Sequence, residues 1–186
     1  MIFRTIFHMI RSQLASQLAL RDVGRVRLMV LPTDLDVLGH MNNGIYFSLM
    51  DLGRLDLLVR AGAWKKLSAV GFYPVMANET ISFRKSLGQW QRFVLETRVV
   101  GVDDRAVYVE QRFTVDGEIY ASAMTRARFL KKSGGTVSVA ELAELLGHDV
   151  SGLTPPTWVS EWAAHVALPS TREAAPSQWG EGDNSS

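Results

Sequence analysis

The chain has 186 residues and contains no cysteine, which excludes disulfides, thiolate metal sites and a cysteine nucleophile. It also lacks an uninterrupted apolar run of about 18 residues, so we expect no segment that spans a bilayer. The formal net charge is only +1 and gives no sign of nucleic-acid binding. The absence of cysteine fits a reducing compartment, and the expected location is cytoplasmic. With 47% hydrophobic and 21% charged residues, the composition is typical of a globular domain.

Several catalytic motifs are missing from the sequence. There is no Gly-x-Ser-x-Gly elbow, which argues against a serine hydrolase. A P-loop and a Gly-x-Gly-x-x-Gly turn are also absent, and no spacing of His, Asp and Glu predicts a metal site. We therefore expect a function that needs neither a metal nor a cofactor.

Residues 1–20 predict an amphipathic helix, because apolar residues recur there at helical spacing and the first acidic residue is Asp22. The favoured interpretation is a helix packed on its own domain or on a second subunit. A basic helix that contacts a membrane surface peripherally is the alternative.

The remaining chain predicts an α+β fold. Alternation over 26–31 indicates a strand, the apolar run over 43–61 a buried helix, and four strands follow over 72–87, 93–102, 106–115 and 118–131. An antiparallel five-stranded sheet wrapped around one long central helix, with extra N- and C-terminal helices, satisfies this order. Exposed sheet edges favour pairing with a second copy, so we expect a homodimer and leave a tetramer open.

The predicted organisation has four parts. A helix over 1–20 precedes a domain over 21–135, and a helical extension over 136–168 leads into a disordered tail over 169–186 that is rich in Pro, Gly and Ser. Within the central helix, Gly53 predicts the close approach of a neighbouring backbone.

The densest polar cluster occupies 34–43, between the first strand and the central helix. Two carboxylates, an imidazole and two amides fall within these ten residues. Backbone N–H groups at a helix N-terminus point toward such a cluster and stabilise negative charge there. We therefore expect the chemistry of the protein at this turn.

The cluster resembles the pattern Asp-x-Asp-x-x-Gly-His-x-Asn-Asn of hotdog-fold acyl-CoA thioesterases of the 4-hydroxybenzoyl-CoA thioesterase type. The segment Met50-Asp51-Leu52-Gly53-Arg54-Leu55-Asp56 is similar to a bacterial thioesterase-like subgroup. The resemblance covers about 25–131. It implies the hydrolysis of an acyl-CoA, or of an acyl carrier protein thioester, to a free acid and a thiol.

The resemblance implies the role of Asp36, and the chemistry of the turn predicts roles for the residues around it. Asp36 is the catalytic carboxylate, either a general base that activates water or a nucleophile. Backbone N–H groups around Asn43 and Gly44 would bind the oxyanion, while Gly39 permits a tight turn close to the substrate. His40 would bind the thioester carbonyl or orient Asp36. Asn42 would cap the helix beside the substrate.

Some of these residues also have purely structural interpretations. Asp36 and His40 could be turn or hydrogen-bonding residues, and Asp34 is better explained as a support for the turn. Asp51 and Arg54, three residues apart, predict an ion pair.

The strand over 72–87 supplies further candidates. Glu79 alternates with apolar residues, which favours a bulge or edge position over a second acid near the pocket. Asn78 and Thr80 point to the other face of this strand and are the remaining candidates for substrate binding. Basic residues could rim a site for the phosphates of CoA: Arg84, Lys85, Arg126, Arg128, Lys131 and Lys132.

Two other functions fit the same fold. A hotdog hydratase or dehydratase resembles Asp-x-Asn-Pro-x-His in this region, but here Asp36 replaces the asparagine and no proline follows. A non-catalytic dimer that binds an acyl or lipid group is the other alternative, although the retained Asp36 speaks against it.

Overall fold

The computed structural model describes residues 2–170 and 172–177. The elements occur in the order α1 (Ile2–Leu14), β1 (Gly24–Met29), a 3₁₀ turn (Pro32–Asp34), α2 (Asn43–Arg60), α3 (Ala63–Ala69), β2 (Phe72–Phe83), β3 (Arg92–Val102), β4 (Val107–Val115), β5 (Glu118–Lys131), β6 (Thr136–Val137), α4 (Val139–Leu146) and α5 (Thr157–His165). The α+β arrangement of five long strands and a central helix is confirmed.

The sheet is antiparallel throughout, with the strand order β1-β3-β4-β5-β2. Two-residue β6 pairs with the end of β5, so the sheet contains a sixth strand that the sequence did not predict. Strand β2 ends at Phe83 rather than at Leu87, because the amides of Arg84 and Lys85 both turn to the carbonyl of Tyr120. The long strands β1 and β2 lie at opposite ends of this order.

Helix α2 lies across the inner face of the sheet and is buried along most of its length. Its apolar side chains meet those of β1, β3, β4 and β5 in one core, which includes Tyr46, Leu49, Leu95 and Phe113. Small residues on β5 leave room for this packing: Ala121, Ala123 and Ala127 are buried.

Gly53 is the point of closest approach between α2 and the sheet. A Cβ atom there would lie 2.7 Å from Oγ1 of Thr97 and 2.8 Å from Cδ2 of Leu95. A close approach at Gly53 was expected and is present, but the atoms nearest to the helix there belong to side chains. The expectation of a neighbouring backbone was wrong, since the residues of β3 and β4 reach up to the helix.

Helix α1 packs on α2 of the same chain. The hydroxyl of Ser12 donates to Oδ1 of Asp56 at 2.5 Å, and both residues are buried. Arg4, near the start of α1, donates to Oδ2 of Asp34 at 2.9 Å. These contacts support the interpretation that α1 packs on its own domain. Within α1 the structure describes the backbone, but the side chains of Ile2, Phe3, Ile6 and Phe7, which form most of the predicted apolar stripe, lie outside its description.

The C-terminal helices cover two different surfaces. Helix α4 packs beside α3 and the end of β5, where Leu67, Phe129, Leu142 and Leu146 form one cluster. Helix α5 covers the outer face of the sheet through Val159 and Ala163. Of the tail over 169–186, residues 169–170 and 172–177 contain no helix or strand, and the rest of the predicted disorder falls on residues that the structure does not describe.

In the described ranges, no helix combines the length and the apolar character needed to span a membrane.

Candidate active site

The predicted cluster forms a compact hairpin-like loop that leads into α2. The amide of Asp36 donates to the carbonyl of His40 at 2.8 Å, and the amide of Asn42 donates to the carbonyl of Asp34 at the same distance. The amide of Met41 donates to the carbonyl of Leu87 at 2.8 Å, which anchors the loop to the segment before β3. The first turn of α2 begins directly where the loop closes.

Asp36 is held by the loop itself. Its Oδ1 accepts hydrogen bonds from the amides of Leu38 at 2.8 Å and His40 at 3.2 Å, and the residue is half-buried. Its Oδ2 has no hydrogen-bond partner among the residues that the structure describes. Asp36 thus serves as a turn residue through one oxygen and still presents the other.

Asp34 has a different environment. Its residue is only 3% exposed, and Oδ2 accepts from the Leu31 amide and from Arg4, each at 2.9 Å. A buried, paired carboxylate is committed to holding the loop and α1 together. The interpretation of Asp34 as a structural support is therefore confirmed.

The N-terminus of α2 is capped by Asn42, whose Oδ1 accepts from the amide of Gly44 at 2.8 Å. This bond occupies one of the two amides that the sequence analysis predicts as oxyanion donors. The amide of Asn43 has no acceptor within the described ranges, so it remains the first-turn donor that a ligand could use. Gly39 takes φ +76°, a left-handed conformation that favours glycine, and closes the turn after Asp36.

The predicted residues fall into two groups. Five of them lie exposed on the loop and the first helical turn: Gly39, His40, Asn42, Asn43 and Gly44. Asn78 and Thr80 lie on β2, and the Asn78 amide group donates to the carbonyl of Val166 at 3.0 Å. No described hydrogen bond joins these two strand residues to the loop.

Tyr46, on the first turns of α2, lies beside the end of β2. Its ring packs against Phe83 with centroids 5.0 Å apart and against Phe113 with centroids 4.8 Å apart. Burial raises the pKa of its hydroxyl, although the backbone of Leu87 acts in the opposite direction. The packing of these three aromatic rings therefore stabilises the first turns of α2 against the sheet.

A buried polar network in the middle of α2 was missed by sequence reasoning. Nη1 of Arg54 lies 2.7 Å from Oε1 of Glu79 and donates to Gln111 at 2.9 Å and Thr125 at 3.0 Å. Its Nη2 pairs with Asp51 at 2.6 Å, as predicted. Only that local ion pair was visible in the sequence, because the other partners lie 25 to 71 residues away along the chain.

Glu79 itself matches its sequence interpretation. It lies on β2, which is the last strand in the sheet order, and follows a β-bulge between Met76 and Asn78. Its carboxylate is committed to Arg54 and also accepts from the hydroxyl of Thr125 at 3.3 Å. This arrangement makes it a structural partner of α2.

Most of the basic residues considered as phosphate ligands are paired with carboxylates. Arg84 and Lys85 both bind Glu118 at 2.7 Å. Arg126 lies 3.6 Å from Asp103, and Lys131 lies 2.8 Å from Glu141. Among the described residues, no three His, Asp or Glu side chains are grouped as metal ligands.

Comparison with models of known protein families shows to which family the chain belongs. The model of the thioesterase-like superfamily matches residues 30–163, which include the loop, α2 and the four strands β2 to β5. The chain belongs to the thioesterase-like superfamily.

Curated proteins of several organisms are similar to the chain in sequence. The protein THEM6 of Xenopus laevis is 41% identical over 100 residues, which cover 54% of this chain and 48% of that protein. The chain therefore spans about half the length of the curated relatives it matches.

Solved structures show that the fold is the hotdog fold. The YbaW probable thioesterase of Escherichia coli aligns with a TM-score of 0.62 and 21% identity, over 68% of this chain and 98% of that one. The protein SAV2348 of Staphylococcus aureus, solved in complex with CoA, aligns with a TM-score of 0.60 and 13% identity, over 83% and 100% of the two chains. At these identities the likeness concerns the fold alone.

Proposed function

We propose that this protein is a thioesterase that hydrolyses an acyl-CoA, or an acyl carrier protein thioester, to a free acid and a thiol. The observation that carries the proposal is the carboxylate of Asp36, fixed through Oδ1 by two loop amides and placed in the loop that opens α2. Membership of the thioesterase-like superfamily supports the reaction class. Because SAV2348, which shares the fold, was solved in complex with CoA, CoA thioesters are the first substrates to test.

The reaction needs an oxygen that attacks the thioester carbonyl. As a general base, Oδ2 of Asp36 would take a proton from water while the water oxygen bonds to the carbonyl carbon. As a nucleophile, the same oxygen would bond to that carbon and form an anhydride, which water then cleaves. In both routes the carbon–sulfur bond breaks and the thiolate leaves, taking up a proton. The free Oδ2 serves either route.

The negative charge that develops on the carbonyl oxygen needs a donor. The Asn43 amide and the positive end of the α2 dipole would supply it, with the cap from Asn42 to Gly44 fixing the geometry of the first turn. His40, exposed on the same loop, would hydrogen-bond the carbonyl or orient Asp36. Because the turn at Gly39 is tight, the loop would leave room there for the substrate to approach.

A homodimer completes the proposal. Strand β2 lies at the end of the sheet order, so its outer edge can pair with β2 of a second copy. Pairing of this kind would bring strand residues such as Asn78 and Thr80 of one copy toward the loop of the other. Sedimentation equilibrium should give twice the chain mass of 20.7 kDa, or four times for a tetramer. A 20.7 kDa species with full activity would contradict the shared site.

Thiol release measures the proposed activity directly. The purified protein is incubated with acyl-CoAs that differ in chain length and in aromatic character, and free CoA is titrated with a thiol reagent. We expect release from at least one class of acyl-CoA. If acyl-CoAs raise the melting temperature without any release of thiol, the protein is a non-catalytic acyl-binding dimer instead.

A further inference from the structure

A cavity of about 250 Å³ lies between the second half of α2 and the inner face of the sheet. Its lining follows α2 from Asp51 to Ala61, the residue directly after the helix, about 15 Å along the helix axis. The sheet contributes Val109 and Ala127, and α4 closes one side with Ala143. The cavity is therefore long relative to its volume.

The cavity is partly open to solvent and interrupts the packing of side chains, which in protein interiors reaches the density of organic crystals. Apolar cavities of about 150 Å³ already admit a benzene molecule. Leu, Val, Ala, Met and Phe make up most of this lining. An apolar ligand would replace the missing packing contacts, whereas water would find few polar partners.

Asp51 and Arg54 are the charged residues of the lining, and His148, just after α4, is its other ionisable side chain. Asp51 has a side chain that is 71% exposed, and its partner Arg54 is 8% exposed and fixed by the network with Glu79. These charges mark a mouth between α2 and β2, since the exposed Asp51 also lines the cavity. Beyond these two residues, the mostly apolar lining can make dispersion contacts with an acyl chain that has no polar substituents.

The position along α2 indicates the length of that chain. The lining begins at Asp51, about 12 Å from the N-terminus of the helix at Asn43. An acyl group whose carbonyl lies at the helix N-terminus must extend past two helical turns before it enters the cavity. Short acyl groups would stop before Asp51.

We infer that this cavity binds the distal part of a long, unbranched acyl chain and that Ala143 of α4 limits the space available to it. The inference rests on the proposed function for its substrate class, but binding of the chain needs no chemistry at Asp36. Helix α4 lies beyond the strands β1–β5, so the extension that follows the sheet would set the chain-length preference of the enzyme.

Trp64 provides a built-in probe because it lines the cavity and is half-buried. Dodecanoate with bromine on its terminal carbon is titrated into the whole protein, and quenching of tryptophan fluorescence is measured. We expect saturable quenching in the wild type and in Asp36→Asn alike. The quenching should disappear in Trp64→Phe.

A matched pair of variants on α4 separates the cavity from general effects of a bulky residue. Ala143→Phe fills the cavity, whereas Ala140→Phe places the same side chain on the exposed face of that helix. Ala143→Phe should weaken dodecanoate binding at least tenfold, and Ala140→Phe should leave it unchanged. Ala127→Leu fills the cavity from the sheet side and replaces Ala143→Phe if that variant does not fold.

The kinetic arm links the cavity to the substrate. Ala143→Phe should lower kcat/KM for hexadecanoyl-CoA at least tenfold relative to Ala140→Phe, while butanoyl-CoA and benzoyl-CoA are unaffected. Equal dodecanoate binding by the two variants, or no Trp64-dependent quenching in the wild type, overturns the inference. Saturable binding without any thiol release would remove the proposed function and leave the acyl-chain site intact.

Discussion

Nη1 of Arg54, on the central helix, lies 2.7 Å from Oε1 of Glu79 on the edge strand β2. Both groups are largely screened from water, with side chains 8% and 21% exposed. The same guanidinium nitrogen also donates to Gln111 on β4 and Thr125 on β5, so it connects α2 to both of these strands. The ion pair therefore ties the edge of the sheet to the helix whose N-terminus forms part of the candidate active site.

Glu79→Gln should lower the free energy of unfolding by about 1–3 kcal/mol, because it leaves the buried charge of Arg54 without this partner. Asp51→Asn removes the exposed partner of the same guanidinium and should cost less than about 1 kcal/mol. Urea unfolding of both variants gives the comparison. An equal loss in the two variants would show that burial does not determine the strength of this network.

Gly53→Ala should destabilise the protein by about 1–3 kcal/mol, even though alanine favours a helix by about 1 kcal/mol over glycine. The added Cβ would lie within 2.9 Å of Thr97, Leu95 and Gln111, so the helix must move away from the sheet. Thermal unfolding measures the effect, with Ser48→Ala on the same helix as the control. An unchanged or higher stability of Gly53→Ala would mean that the helix can shift at no cost.

Glu141 should contribute to acid unfolding. Lys131, followed by the amide and hydroxyl of Ser138, lowers the pKa of its carboxyl from 4.5 to about 2. A pKa that is lower in the folded state stabilises the protein above the unfolded pKa, and this contribution is lost as the pH falls toward the folded value. The relevant window is therefore pH 4.5 to about 2.

The measurement compares the melting temperature of Glu141→Gln with that of the wild type across this window. The variant should be less stable at neutral pH and should lose less stability on acidification than the wild type. Glu144→Gln, on an exposed position of α4, is the control and should follow the wild type. Parallel curves for wild type and Glu141→Gln would contradict the assignment.

Asn42→Ala should cost about 1 kcal/mol of stability, because it removes the acceptor of the Gly44 amide. It should also lower kcat, since the first turn that presents the Asn43 amide is no longer fixed. Asn42→Ser keeps a capping oxygen and should recover most of both losses. If the alanine variant has a lowered melting temperature but keeps full activity, the N-terminus of α2 takes no part in the mechanism.

The order of the elements and the position of the loop followed from the sequence, because both depend on local patterns. The period of the apolar residues changes from helical to alternating near Phe72, and Asn42 precedes the helix that it caps. The segment before Asp34 was likewise predicted as a strand, although it begins and ends two residues earlier than the alternation suggested.

Long-range relationships were not accessible in this way. The contacts of Gln111 and Thr125 with Arg54 depend on the register of β4 and β5, which no local pattern fixes. The hydrogen bond from the Gly44 amide to Asn42 removes an oxyanion donor that the position of the helix start had predicted. The cavity beside Ala143 depends on where α4 packs after the sheet has formed.

The central claim concerns a single carboxylate oxygen on Asp36. Asp36→Asn keeps an oxygen that can accept from the Leu38 and His40 amides, so the loop should hold its shape while the basic and nucleophilic oxygen is lost. Asp34→Asn, two residues away, disturbs the buried pair with Arg4 and serves as the matched control.

The decisive measurement is kcat for thiol release from the acyl-CoA that the wild type hydrolyses fastest, in both variants. Asp36→Asn should lower kcat at least about 100-fold with little change in melting temperature. Asp34→Asn should lower the melting temperature while its folded fraction retains turnover. Wild-type turnover by folded Asp36→Asn would contradict the account.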